Sequence, residues 1–198
     1  MDADFKPVDT RIVRKASDRE SKRMYENLIA QNDNKNGVSI GSFGKFKDMT
    51  LIGEWPKVNQ TNMLMAGAKP NFLHQLKGTK ITVDFQHIPP TVPQDATKSL
   101  NMHKILEKPP HKLTDAEIAS YRNPGDAYQK IRSETAKLGN VMVLKTYTDW
   151  VKMGKKQLSV THDLSGKGND CYMIIFEGPA ADFDKNLATI EKSLKTAR

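Results

Sequence analysis

A chain of 198 residues with 37% apolar and 7% aromatic residues can bury one modest core, which fits one domain or one domain with an arm. Its net charge of +8 invites a polyanionic partner, but residues 1–37 carry 8 basic and 7 acidic groups and residues 141–198 carry 9 and 7. The excess is therefore spread, without the dense block that tracks phosphates. No apolar run approaches the ~18 residues that cross a membrane, and the start, Met1 to Pro7, is polar and acidic, unlike a secretory leader.

The single cysteine, Cys171, cannot close a disulfide within the chain. Its use favours a reducing compartment, so a cytoplasmic location is the default expectation. The alternative is an extracytoplasmic protein whose leader was removed before residue 1.

Residues 1–37 read as an arm followed by a helix. Ser17-Asp18-Arg19-Glu20 has the form of a capping box, and a helix with a narrow Met24, Leu28, Ile29 stripe runs to about Gln31. The polar run Asn32 to Gly37 ends it. Residues 38–198 read as one α+β domain. Val38 to Phe46 and Met49 to Gly53 are expected strands, closed by Trp55-Pro56 because the residue before proline leaves the helical region. Met63 to Ala66 is a short strand or helix, and residues 70–76 fit one or two helical turns. Thr79 to Ile88 alternates, with Ile81, Val83 and Phe85 on one face, and is the best half-buried strand of the first half.

A proline-rich insert, 89–125, follows, with a short helix near Ser99 to Leu106. Thr114-Asp115-Ala116-Glu117 is a second capping box opening a helix to about Arg122. Asp126 is expected to cap a further helix to Leu138, with Ala127, Ile131 and Leu138 inward and Gly139-Asn140 as its stop. Val141 to Val151 is a strand, Gly154-Lys155 a turn, and Gln157 to Leu164 a strand with Leu158, Val160 and His162 on one side. Cys171 to Glu177 is a nearly continuous apolar run, which marks an interior strand covered on both faces. Phe183, Leu187, Ile190 and Leu194 recur at helical spacing and form the inner stripe of a closing helix.

Motifs with chemistry are scarce. Gly166-Lys167-Gly168 lacks the first glycine and the following helix of a phosphate loop, and it reads as a hairpin turn. The five histidines (74, 87, 103, 111 and 162) have no metal-ligand spacing. No cofactor is called for. The nine methionines, Met63 and Met65 among them, are core filler or a plastic apolar surface for a partner. Trp55, Tyr147 and Trp150 stand at strand ends. Lys152, Lys155 and Lys156 make the densest local cluster of positive charge. Together with Met63 and Met65 these six form the candidate partner-binding surface.

The order of elements from Asp126 onward, ending in Cys171-Tyr172-Met173-Ile174-Ile175-Phe176 and a Phe183-headed helix, resembles the end of PsbP-like and DcrB-like domains. Phe43-Gly44-Lys45-Phe46 and Leu51-Ile52-Gly53-Glu54-Trp55-Pro56 are similar to their opening strands. The resemblance implies an antiparallel sheet flanked by helices, an α/β/α sandwich. It also implies a non-enzymatic accessory or adaptor protein that binds another protein, with no catalytic residues to carry over. Two alternatives stand beside it: a basic protein binding nucleic acid or an anionic surface, and a small enzyme whose site assembles from His162, Asp163 and Tyr147.

Overall fold

The computed structural model describes residues 37–58, 73–88, 96–122, 129–163 and 171–198. Val38–Ser39 (β1) and Thr50–Leu51 (β2) pair antiparallel as a small ribbon. Lys57–Val58 (β3), Leu73–Gln75 (β4) and Thr82–Ile88 (β5) follow, then helices Ala96–Leu106 (α1) and Asp115–Tyr121 (α2). Gln129–Leu138 (β6), Val141–Trp150 (β7), Lys155–Asp163 (β8) and Cys171–Pro179 (β9) lead to the closing helix Ala180–Lys195 (α3). The main sheet has seven strands in the order β3-β4-β5-β9-β8-β7-β6, all antiparallel. The protein is α+β, an antiparallel sheet flanked by helices.

Alternation along each strand decides which layer each side chain joins. Val83 from β5 with Ile81 just before it, Leu158 and Val160 from β8, and Ile174 and Phe176 from β9 share one face and are fully buried. Helix α3 lies on that face. Phe183, Ile190 and Leu194 are buried and Leu187 packs at the margin, each worth about 1.5–3 kcal/mol on burial. Phe46, Met49, Leu51 and Trp55 close the rest of this core.

Two hydroxyls tie α3 to the ribbon. Ser193 Oγ accepts the Ile52 N–H at 2.8 Å, and Thr196 Oγ1 accepts the Thr50 N–H at 2.8 Å. The helix thereby supplies the partners that a further strand would otherwise give β2.

The opposite face carries α1 and α2. Thr114 and Glu117 form the expected capping box. Tyr121 Oη reaches Ser133 at 2.8 Å and Thr146 at 3.3 Å, and Ser133 donates to Thr146 at 3.1 Å. This hydroxyl triangle pins the end of α2 to β6 and β7. Between the helices, residues 111–113 strap the outer edge of β6: Leu113 N–H donates to Ser133 O at 2.9 Å and Thr135 N–H to His111 O at 2.8 Å. An otherwise open edge is thus occupied.

Several expectations need correction. The helix expected from Asp126 to Leu138 is absent from its described part: all ten residues Gln129–Leu138 pair with β7, and Gly139 opens a two-residue turn at φ +56°. That conformation suits the first central position of a type II′ hairpin, so Gly139-Asn140 is a hairpin turn and not a helix stop. Leu73–Gln75 is a strand rather than a helical turn, because His74 and Leu73 find partners in Val83 and Asp84. The expected strands 38–46 and 49–53 shrink to two residues each, and Phe43 and Phe46 close a tight turn. The chain passes through Trp55-Pro56 straight into β3 and the main sheet. The two helices expected in the insert are present as α1 and α2, and they lie on the sheet. Strand β9 is interior as expected, but Met173 and Ile175, on the α1–α2 side, are only half-buried. The helix expected at 17–31, the Met63–Ala66 segment and the 165–169 loop lie outside the described residues.

Candidate functional site

The hairpin end of β7 and β8 gathers most of the residues named from sequence. Strand β7 ends at Trp150. A single 3-10 turn, Val151–Met153, follows, and Gly154 at φ +61° sends the chain into β8. A side chain bearing Cβ rarely accepts that conformation, so glycine sets this turn. The turn leaves Val151 53% and Met153 69% exposed, the two most exposed large apolar side chains among the described residues. Lys152 is exposed between them.

Behind the tip, on the α3 face, lies a cleft of about 250 Å³. Phe183 and Leu187 of α3 form one wall, and Arg132, Tyr147, Asp149 and Lys156 form the floor. The Arg132 guanidinium carbon stands 3.6 Å from the centroid of the Tyr147 ring, a cation–π stack that holds both side chains flat. Lys156 Nζ meets both carboxylate oxygens of Asp184 at 2.7 Å. On the other face Lys155 Nζ donates to Glu177 at 2.6 Å.

Deeper, Tyr147 joins a buried polar cluster. Its hydroxyl donates to Glu191 at 2.6 Å and to Glu134 at 3.3 Å. Lys145 Nζ donates to the other Glu191 oxygen at 2.5 Å and stands 3.8 Å from Glu134. Burial, followed by the bond to Glu191, pushes the Tyr147 phenol well above the ordinary tyrosine range. The phenol therefore stays a hydrogen-bond donor across physiological pH. The cluster fastens α3 to β6 and β7. Among the described residues no group of His, Cys, Asp or Glu is placed to bind a metal.

Tyr147, Trp150, Lys152, Lys155 and Lys156 thus share one end of the sheet, on its two faces and its tip. Trp55 does not join them. It is 1% exposed, its ring centroid lies 6.0 Å from that of Phe176, and its indole N–H donates to Ile52 O at 2.9 Å. It is a core residue. Met63 and Met65 lie outside the described residues. The exposed Val151 and Met153 were not singled out from sequence; the signal was two apolar residues directly before a turn glycine.

The dispersed constellation of His162, Asp163 and Tyr147 does not converge. His162 is fully buried at the far end of β8, where its Nε2 accepts the Lys45 N–H at 3.2 Å and Phe46 stands edge-on at 4.8 Å. Tyr147 pairs with Leu158, four residues along the strand and so roughly 13 Å away. Compared with models of known protein families and with curated protein sequences, the chain matches none.

Proposed function

We propose that this chain is a non-enzymatic accessory or adaptor protein that docks another protein at the hairpin end of its sheet, as one component of a larger assembly. The observation carrying this reading is the exposure of Val151 and Met153 on a turn that follows Trp150 and holds Lys152 between them. Methionine and aromatic groups inside a polar rim are the composition of protein interfaces. The adjoining Phe183–Leu187 cleft offers a recess for an anchoring side chain.

The charges of the region favour a protein over nucleic acid. Lys155 and Lys156 are already paired with Glu177 and Asp184. A phosphate backbone would have to displace those carboxylates, whereas rim pairs of this kind rearrange cheaply against a protein surface.

The test compares the wild-type chain with V151D/M153D as bait in native extract. The wild type should retain a partner at fixed stoichiometry, and the double variant should lose it at unchanged thermal midpoint. Equal capture by both would remove the hairpin end as the docking site. A clean wild-type monomer under mild conditions would remove the adaptor reading. Titration with generic DNA and RNA at ~50 mM salt tests the nucleic-acid alternative, since phosphate contacts are strongest there; no binding is expected.

A further inference from the structure

A second cavity, about 380 Å³, lies between the α1–α2 layer and the sheet, on the face away from α3. That size falls within the roughly 300–1,000 Å³ of small-molecule sites. The strand registers order its floor. Ile88 lies beside Cys171, Met173 beside Thr161, Thr161 beside Leu144, and Ser159 beside Thr146. The cavity is therefore graded along the strands. Ile88, Cys171, Met173 and Leu144 make an apolar end, which Met102 of α1 also lines. Thr146, Ser159, Tyr121 and Arg122 make a polar end.

Two features of that polar end, and one hydroxyl between the two ends, are unspent. Thr161 is only 8% exposed and lines the cavity, yet its hydroxyl makes no hydrogen bond among the described residues. The Ser159 hydroxyl makes none there either. The Arg122 guanidinium has a single hydrogen bond, at 3.4 Å to the Thr148 hydroxyl, and no carboxylate within ion-pair distance among the described residues. The charged side chains among the described residues lining the cavity are Lys98 and Arg122, both cationic.

We propose that this cavity binds a medium-chain monocarboxylate. Its carboxylate lies on Arg122, the Ser159 hydroxyl donates to it, and the alkyl chain runs past Thr161 toward Met173 and Ile88. A guanidinium fork matches the two oxygens of a carboxylate in a bidentate pair. The graded wall demands one anionic end and one apolar end in the same molecule.

Calorimetric titration of the full chain with octanoate, acetate and octylamine tests this. Octanoate should saturate at one site per chain. Acetate, lacking the tail, should bind at least tenfold more weakly, and octylamine should not bind. Arg122→Gln should lower octanoate affinity at least tenfold at unchanged thermal midpoint, and Ser159→Phe should fill the cavity and abolish binding. V151D/M153D, on the hairpin tip, should bind octanoate as the wild type does. The proposal is overturned if octanoate gives no saturable binding, if octylamine binds as tightly, or if both cavity variants bind like wild type. Should one variant fail to fold, the other and the three-ligand comparison on the unaltered chain decide.

Discussion

Gly44 turns the chain at φ +59°, against the His162 and Tyr172 rings. A Cβ there would press on His162 Nε2 and come within 2.9 Å of Tyr172 Cγ. Gly44→Ala combines the left-handed penalty with a clash against two packed rings. It should therefore cost roughly 2–4 kcal/mol. Urea unfolding checks this: the midpoint should fall with the slope unchanged. His74 gives a residue-level pH effect. Burial holds its imidazole below the ordinary value of 6.5, while its Nδ1 donates to Trp55 O at 2.9 Å. The unfolded chain takes up this proton more readily than the folded one, so the stability is present above about pH 6.5 and drains away as pH falls below it. Glu117 governs a lower window. The Lys108 ammonium, then the Thr114 amide, hold its carboxyl down to about 2 from 4.5. Its contribution is present above about pH 4.5 and is lost as pH falls toward 2. Unfolding free energy measured against pH should flatten just below pH 6.5 in His74→Gln, and only below pH 4.5 in Glu117→Gln.

Among the elements, α3 was the most legible, because an apolar residue recurs every three or four positions against one flat sheet. Ile190 is fully buried at the centre of that stripe. Ile190→Ala should cost about 2–5 kcal/mol by the same urea measurement, whereas Leu100→Ala, on the 44% exposed surface of α1, should stay within about 0.5 kcal/mol. Strand β6 was misread for a physical reason. Its inward positions on the α1–α2 face include the buried Ser133 and Thr135, not apolar residues, so no two-residue hydrophobic period is visible. Its Lys, Glu, Ala and Leu content favours a helix in isolation. Ten cross-strand pairs with β7 override that preference. The legible clue was Gly139-Asn140, a two-residue hairpin signal. Leu73–Gln75 failed similarly: three residues are too few to show any period.

At the scale of the whole molecule, the antiparallel sheet flanked by helices followed from alternation in β5 and β8, from the apolar run of β9 and from the α3 stripe. The candidate site was partly legible. The lysine cluster and the Tyr147–Trp150 strand end were visible as local runs in sequence, and they do meet at the hairpin end. The cavity under α1 and α2 was not, because its walls come from Ile88, Arg122, Thr146, Thr161 and Cys171. These residues come from five separate elements or their flanks, and they meet only once the sheet has formed.

The place of β9 between β5 and β8 bears on how the chain is made. Strand β5 ends at Ile88, and its partner β9 begins 83 positions later, at Cys171. At about 5–20 residues per second, a ribosome needs on the order of 4–17 s to deliver that partner. Throughout that interval the side of β5 that β9 will occupy, with Val83 and Phe85 beside it, has no neighbour. A nascent chain arrested before Cys171 should accordingly recruit holding chaperones and be cut by protease within 73–88. One released after α3 has emerged should resist both.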